Sequence, residues 1–358
     1  MANYDVIIIG AGAIGSFSLF HLQKRGIKKC LLIEKEDHSG RGATGSWGSL
    51  IRTMHQDPLT TIKATKAVPF FRHFKEVVGN ECGYNNCGAL YFFKKDQLAL
   101  IDEQLNTLKE SRISFEVIES AEGSDQFPHF NWFDDDLAIF EHHAGTACPY
   151  MTTSALINYA TKRGANALFG EHVSEIIKNG HKVLGVKTTL GKEFFADAII
   201  VTAGRWSQEL ALSLGCSLGV SEKNIQINRF CRGNFKGKLP LFIDRNLYTF
   251  GHFFIDGSFV GGYLPPDQQV KESTSMERLS LQEAVMAKMK ISRRLKCLKN
   301  SSLAGGLRGI ETYSSDGQGI IANDFGYENL IFATGFSCTG FTLAPLAGEE
   351  IATLIEKI

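Results

Sequence analysis

The sequence predicts an α/β protein with two domains, one built around a mostly parallel sheet and one dominated by antiparallel strands. Three observations support this prediction. An apolar strand runs directly into a glycine-rich turn at residues 6–15. The α/β pattern returns after residue 150 and ends in a second apolar strand, ADAIIVTAG, as is typical of a buried parallel strand. Residues 225–265 have the pattern of a strand meander.

The α/β pattern is interrupted twice along the chain. We therefore expect a first domain made of residues 1–82, 142–212 and 305–358. The inserts, residues 83–141 and 213–304, would form the second domain.

The first βα unit carries a dinucleotide-binding pattern, VIIIGAGAIG, and an acid closes the next strand. Gly10 allows a tight turn, Gly12 lets the backbone approach a pyrophosphate, and Gly15 lets the helix pack closely on the strand. The helix N-terminus offers free N–H groups to the phosphates. The carboxylate of Glu34 suits a ribose diol. These features predict a bound adenine dinucleotide; the alternative is a glycine-rich turn in an ordinary βα unit.

The composition argues against several classes of protein. Among 358 residues, Lys+Arg and Asp+Glu both number 38, a balance that favours neither nucleic acid nor a membrane surface as a partner. No segment reaches the ~18 consecutive apolar residues of a transmembrane helix. The N-terminal run lacks the basic start and cleavage site of a signal peptide. We therefore expect a cytoplasmic protein. The eight cysteines are scattered without a CxxC pair, so we expect free thiols and no metal site.

Four stretches resemble one family. They are VIIIGAGAIG with Glu34, the loop GRGATGSWGSLIR, the strand ADAIIVTAG, and GGLRGIETYSSDGQGIIA followed by ENLIFATGFSCTGFTLAPLAGE. Together they resemble the FAD-dependent amine and amino-acid oxidoreductases, which include D-amino acid oxidase, glycine oxidase and monomeric sarcosine oxidase. The resemblance spans essentially the whole chain and is weakest in the two inserts. It implies an FAD-binding Rossmann-like domain of the glutathione-reductase type and an α+β substrate domain with an antiparallel sheet.

The resemblance also implies which residues bind FAD. In the family, the C-terminal helix points at the flavin pyrimidine end, where its dipole and N–H groups stabilise the reduced ring. A plain glycine turn before a terminal helix is the alternative. Val173 takes the place of a valine that contacts the adenine. The expected FAD-binding residues are Gly10, Gly12, Ala13, Ile14, Gly15, Glu34, Lys35, Arg41, Ala43, Thr44, Gly45, Ser46, Val173, Ala203, Gly204, Trp206, Gly335, Phe336, Ser337, Cys338, Thr339, Gly340 and Phe341.

Two arginines are candidates for binding a substrate carboxylate, which a guanidinium fork holds bidentately. Arg52 and Arg308 stand where sarcosine-oxidase-like and glycine-oxidase-like members, respectively, use an arginine. A structural ion pair is the alternative for each. Trp47 is expected beside the flavin, as a cavity wall or as packing. Tyr248 and His252 are four residues apart on a predicted strand and so share one face, which lines the cavity or packs in the sheet.

Several positions depart from the sarcosine-oxidase-like members. Val260 stands where they have a lysine that promotes the reaction of reduced flavin with oxygen, and Thr342 stands where a lysine helps to hold the carboxylate. Gly45 and Ser49 replace a histidine and an arginine beside the flavin.

The thiol that tethers the flavin in those members aligns with Gly309. The resemblance therefore implies non-covalent FAD. Cys338 is the alternative tether.

The resemblance implies oxidation of a C–N bond of a small amine or amino acid by hydride transfer to flavin, with reoxidation by O2. The alternative is a flavoprotein that hydroxylates a tryptophan of a partner protein during maturation of a tryptophylquinone cofactor. A basic segment could dock such a partner, although it is typical of a solvated helix face; it contains Lys288, Lys290, Arg293, Arg294, Lys296 and Lys299. A third alternative is a non-catalytic or electron-transfer flavoprotein.

Overall fold

The computed structural model describes residues 3–47, 50–231, 239–254, 256–264, 279–323 and 325–358. Its strands are β1 (Asn3–Ile9), β2 (Cys30–Glu34), β3 (Leu50–Ile51), β4 (Ala89–Lys94), β5 (Phe115–Glu119), β6 (Asp136–Glu141), β7 (Gly145–Thr146), β8 (Asn166–Phe169), β9 (Val173–Asn179), β10 (Lys182–Thr188), β11 (Glu193–Val201), β12 (Ser221–Phe230), β13 (Leu241–Asp244), β14 (Thr249–Phe253), β15 (Phe259–Tyr263), β16 (Leu303–Tyr313), β17 (Ile320–Ala322) and β18 (Leu330–Thr334). Its helices are α1 (Ala13–Lys24), α2 (Ala43–Trp47), α3 (Pro58–Arg72), α4 (Phe74–Val78), α5 (Asp102–Glu110), α6 (Ser120–Gln126), α7 (Pro149–Thr161), α8 (Ser207–Ser213), α9 (Leu281–Arg294) and α10 (Gly340–Ile355).

The first sheet has the order β17-β18-β11-β1-β2-β8, and β10 and β9 extend from β11. The strands β18, β11, β1, β2 and β8 run parallel, because helices return the chain across the faces of the sheet. One face packs against α1, α7 and α10. The other face packs against α8 and the β9–β10 hairpin. This is the predicted Rossmann-like domain.

The second sheet has the order β16-β12-β15-β14-β13-β4-β6-β5 and is antiparallel except for the β13–β4 pair. Apolar side chains of α9 pack on one of its faces. Helix α5 packs on the other face. The structure confirms the fold class that the sequence predicts.

The boundaries of the two domains remain a prediction. The strand β16 begins at Leu303 and pairs with β12 along its length in the second sheet. The third predicted piece of the first domain, residues 305–358, therefore begins within a strand of the second sheet.

The predicted basic segment divides into exposed and buried residues. Arg293 is exposed, whereas the neighbouring Arg294 is fully buried. The guanidinium of Arg294 pairs with Asp244 through Nε at 2.5 Å and with Asp136 through an N–H at 2.5 Å. The assignment of Arg294 to a solvated face was therefore wrong, because its position follows the buried, core-facing residues of α9.

Among the described residues, no helix combines the length and the apolarity that crossing a bilayer requires.

Candidate active site

A cavity of about 1260 Å³ lies between the carboxyl ends of the first sheet's strands and one face of the second sheet. Ligands of open α/β sheets bind at this edge. The volume is large enough for a dinucleotide and leaves room for a small substrate.

The glycine turn forms one end of the cavity. Gly10 has a φ of 103°, and a Cβ there would lie 2.6 Å from the carbonyl oxygen of Thr202, so only glycine fits. The carboxylate of Glu34 accepts a hydrogen bond of 2.7 Å from the backbone N–H of Ala11. The hydroxyl of Thr44 accepts one of 3.0 Å from the N–H of Ala13, at the start of α1. The turn therefore presents N–H groups and an acid together, as a dinucleotide site requires.

Gly15 does not line the cavity but holds α1 against the turn. A Cβ at this position would lie 2.0 Å from the carbonyl oxygen of Gly10 and 2.6 Å from the hydroxyl of Thr202. We therefore expect Gly15→Ala to lower the free energy of unfolding by about 1–3 kcal/mol. We also expect it to weaken FAD binding, because the turn must move.

Denaturant titration and FAD titration of the apoprotein would measure both effects. Gly42→Ala is the matched control for the unfolding measurement, because a Cβ there meets no protein atom within 4 Å. Equal behaviour of the two variants would contradict this role of Gly15.

Most other predicted FAD-binding residues line the same cavity. Lys35 extends over the ring of Trp206, 3.3 Å from its centroid. Ser337 and Thr339, like Gly15, do not line it in the described structure. The lining residues among those predicted are Gly10, Gly12, Ala13, Ile14, Glu34, Lys35, Arg41, Ala43, Thr44, Gly45, Ser46, Val173, Ala203, Gly204, Trp206, Gly335, Phe336, Cys338, Gly340 and Phe341.

The turn before α10 has an unusual backbone. Gly335, Ser337 and Cys338 have φ values of 74°, 51° and 65°, so the turn passes through left-handed conformations. The N–H of Ser337 donates to the carbonyl of Thr312, and the thiol of Cys338 lies 2.9 Å from the Tyr313 hydroxyl. These contacts fix the N-terminus of α10 at the cavity, where its dipole favours negative charge.

Only one of the two arginines that were predicted to bind substrate lines the cavity. Arg52 lines the cavity. Arg308 does not: its guanidinium pairs with Glu283 of α9 at 3.1 Å, on the other face of the second sheet. The expectation that Arg308 holds a substrate carboxylate is therefore wrong for this structure, and the structural ion pair applies.

A third arginine, Arg245, lines the cavity and was missed from the sequence. It follows β13 in a turn in which the Asp244 carboxylate accepts hydrogen bonds from the N–H groups of Asn246 and Leu247, at 2.9 and 2.8 Å. Burial and the charge of Arg52 lower the pKa of Arg245 to about 10. Asp244 is a turn-forming residue type, but nothing local in the sequence shows that this turn faces the cavity.

Tyr248 and His252 also line the cavity. Tyr248 has a φ of 55° and precedes β14, so the two residues do not share a strand face as predicted. Burial lowers the pKa of His252 to about 4 and the pKa of His55, another lining residue, well below its usual value. Both imidazoles are therefore neutral at pH 7, and neither adds charge to the cavity.

Two predicted residues fall outside the described part of the structure. The backbone of Trp47 ends α2, but its side chain lies outside the described residues, as does Ser49.

The residues present fit an adenine dinucleotide with a flavin. The glycine cradle excludes side chains where a pyrophosphate would lie. The cavity continues without interruption from Glu34 to the N-terminus of α10. A flavin at that end would therefore lie next to Arg52, Arg245 and Tyr248.

Two known sarcosine oxidases are similar in sequence to nearly the whole chain. Human peroxisomal sarcosine oxidase is 24% identical, with 99% of this chain and 93% of that protein aligned. Monomeric sarcosine oxidase of Streptomyces avermitilis is also 24% identical, over 98% and 93%.

Two solved structures have the same fold. The L-proline dehydrogenase of P. horikoshii superposes with a TM-score of 0.90 at 20% identity, covering 99% of this chain and 94% of that one. The glycine oxidase of Geobacillus kaustophilus superposes with a TM-score of 0.83 at 19% identity, covering 100% and 95%.

The family model described as "DAO: FAD dependent oxidoreductase" matches residues 5–354. This match covers nearly the whole chain and confirms the resemblance seen in the sequence. The chain belongs to the DAO family of FAD-dependent oxidoreductases.

Proposed function

We propose that this enzyme oxidises the C–N bond of a small amine that carries a carboxylate, such as an amino acid or an N-alkyl amino acid. The observation that supports this most is that two arginines, Arg52 and Arg245, line the cofactor cavity. One N–H of Arg245 donates to the side chain of Gln56 at 2.7 Å. Neither arginine forms a salt bridge with another described residue. Guanidinium groups that are left without anions around a cavity fit a carboxylate ligand.

The surroundings of Arg52 hold it in place. Its guanidinium donates to the carbonyl of Met54. Behind it, the buried carboxylate of Glu141 accepts hydrogen bonds from Tyr91 at 2.8 Å and from the N–H of Thr53 at 2.9 Å. This one buried carboxylate balances part of the charge of the two arginines, so the cavity wall still attracts an anion.

The carboxylate anchor would orient the substrate so that its C–N bond faces the flavin. When bound, FAD supplies the hydride acceptor for the carbon that carries nitrogen. The neighbouring side chains Ile227, Val260 and Leu264 are apolar and exclude water from that carbon. Release of the imine and its hydrolysis would give an oxo acid and ammonia or an amine.

We propose that O2 reoxidises the flavin and is reduced to hydrogen peroxide. Val260 lines the cavity in place of the cation that sarcosine-oxidase-like members have there, so we expect this step to be slower than in those members. Aerobic incubation with a panel of amino acids and N-methyl amino acids tests both parts, with assays for peroxide, for oxo acid and for formaldehyde, which forms when the hydride leaves an N-methyl carbon. Formation of either carbonyl product in step with peroxide supports O2 as acceptor. A carbonyl product that forms only with an added artificial acceptor would reject O2.

We further propose that FAD is bound non-covalently. Gly309, on the cavity side of β16, offers no nucleophile. Desolvation raises the pKa of Cys338 to about 12, which keeps this thiol protonated where it lines the cavity. We expect acid precipitation to release all of the FAD into the supernatant. Flavin that stays with the protein pellet, and disappears from it in Cys338→Ser, would contradict non-covalent binding.

A protein substrate is the second candidate. The observation that favours it is the exposed face of α9, which carries Leu281, Val285 and Met289 beside Lys288 and Arg293. Such a surface fits an acidic partner with an apolar patch. Reduction of the flavin by a free amino acid would argue against this candidate.

A further inference from the structure

Glu311 is a carboxyl group in the cofactor cavity that takes no part in binding the substrate carboxylate. It lies on β16 and lines the cavity. The position of Glu311 on the strand explains why this residue lines the cavity. On an extended strand, residues three apart face opposite sides. Glu311 lines the cavity, as do its neighbours Ile310 and Thr312, whereas Arg308 pairs with Glu283 of α9. No salt bridge or side-chain hydrogen bond to another described residue engages the Glu311 carboxyl.

The other carboxyl groups that line the cavity differ from Glu311. Asp244 is paired with the buried Arg294. Glu34, Glu36, Glu171 and Glu209 belong to the first sheet's side, where the dinucleotide would lie. Glu311 is therefore the carboxyl group on the substrate side that lacks a guanidinium partner among the described residues.

The elements that pack against β16 supply the charged and titratable groups around Glu311. Lys223 on β12 lies directly opposite in the strand register, and its ammonium lies 4.3 Å from the centroid of the Tyr313 ring. On the turn before α10, the Cys338 thiol is influenced by the charges of both Glu311 and Arg52. Arg52, the proposed anchor of the substrate carboxylate, and Glu311 thus both lie close enough to Cys338 for their charges to act on its thiol.

Among the described residues, the other elements that contact β16 carry no unpaired charge toward Glu311. On the turn Gly204–Trp206, Arg205 is paired with Glu222 at 3.5 Å. The short helix α2, with the sequence ATGSW, has no titratable side chain. Burial raises the pKa of Glu311 to about 7, and the backbone N–H of Thr312 acts in the opposite direction.

We propose that Glu311 binds the protonated amine of the substrate and removes one of its protons before the C–H bond breaks. This proposal rests on the proposed function. An N–H bond of the ammonium breaks and an O–H bond forms on the Glu311 carboxylate. The electron pair stays on nitrogen, where it assists departure of the hydride from the adjacent carbon. Arg52 and Arg245 hold the anionic end of a zwitterionic amino acid, and Glu311 holds the cationic end.

The test begins with binding and needs no turnover. Betaine and 3,3-dimethylbutanoate, in which carbon replaces the cationic nitrogen, carry the same carboxylate, and neither has an N–H group. Their dissociation constants would be measured with FAD-loaded enzyme from the change in the flavin spectrum. We expect the preference for betaine over 3,3-dimethylbutanoate to fall about tenfold or more in Glu311→Gln at about pH 8.5. Glu283→Gln, which alters a carboxyl outside the cavity, should keep the preference.

The pH dependence gives a second readout. The Glu311 carboxylate must be ionised to bind the cation, so the betaine preference of the wild type should rise with pH through about 7. Glu311→Gln should lose this step, and Glu311→Asp should retain part of it. The rate of anaerobic flavin reduction by the identified substrate should follow the same step.

The possible results of these experiments distinguish the role of Glu311 from the proposed oxidation of an amine. An equal betaine preference in wild type and Glu311→Gln would overturn the role of Glu311, even if an amine reduces the flavin. A preference that depends on Glu311, in an enzyme that no amine reduces, would keep the cation site and reject the oxidation. If neither probe perturbs the wild-type flavin spectrum, the placement of an amino-carboxylate beside the flavin is wrong.

Discussion

Arg52→Ala and Arg245→Ala should each lower kcat/KM for a carboxylate-bearing amine by about 100-fold, or about 2.7 kcal/mol of transition-state binding. Both guanidinium groups line the cavity and neither pairs with a described carboxylate, so a bound carboxylate would lose one of its two charged partners. Most of the loss should appear in KM, because the anchor acts on the bound substrate and the transition state alike. Steady-state kinetics with the substrate found in the panel would measure it.

Arg308→Ala is the matched control for these variants. It removes a guanidinium from the same sheet, but on the face that contacts α9. We expect its kcat/KM to stay within about threefold of wild type, because Arg308 does not line the cavity, although loss of its ion pair with Glu283 should lower stability. A second control is an amine without a carboxylate, whose kinetics should not depend on Arg52 or Arg245. Normal kinetics in both cavity variants, or a large effect in Arg308→Ala alone, would contradict the anchor.

Arg294→Met should lower the free energy of unfolding by about 3–5 kcal/mol, because it leaves two buried carboxylates without their cation. Arg294, Asp136 and Asp244 are each at most 1% exposed. The defect should shrink as the pH falls. Burial raises the pKa of Asp244 even beside Arg294. Without the guanidinium, the folded-state pKa of Asp244 would lie further above its unfolded value, so stability is lost as pH rises through that folded pKa. Denaturant unfolding of FAD-saturated protein over a range of pH would measure this.

Two controls separate charge from packing. Arg293→Met alters the exposed neighbour, and we expect it to change stability by less than about 0.5 kcal/mol. The triple variant that adds Asp136→Asn and Asp244→Asn to Arg294→Met should regain part of the lost stability, because no buried charge remains unpaired. A single Arg294→Met variant as stable as wild type would show that the pair does not hold the sheet together.

The cofactor site was predictable because its signal is local. The glycines and the acid of the first βα unit lie within one continuous stretch, and backbone sterics leave little freedom at Gly10 and Gly15. The stretch before α10 likewise combines a strand, a glycine turn and a helix. The structure places most of the residues predicted from these stretches around one cavity.

The substrate side was harder to predict because it depends on strand parity and long-range pairing. Arg308 and Glu311 lie on the same strand, and only the register of β16 against β12 decides which of them faces the cavity. Arg245 reaches the cavity through a turn whose direction depends on Asp244, which is held by Arg294 from another element. No pattern within a short stretch of the sequence indicates those contacts.

The sequence does contain a signal for the burial of Arg294. The buried residues of α9 are Ala284, Ala287, Ile291 and Arg294, and they follow the helical spacing of three and four residues. The buried face of α9 is apolar at its first three positions and has Arg294 at the fourth. The run of basic residues around it favoured the wrong interpretation of a solvated charge.

The most direct test of the central claim is to mix the FAD-loaded protein, without oxygen, with glycine, sarcosine, proline and other D- and L-amino acids. Loss of the visible absorbance of oxidised flavin does not depend on the acceptor that later reoxidises it. We predict that at least one of these compounds bleaches the flavin, and that Arg52→Ala and Arg245→Ala require much higher concentrations of it. A fully FAD-loaded protein whose flavin stays oxidised with every compound would contradict oxidation of a small amino-carboxylate.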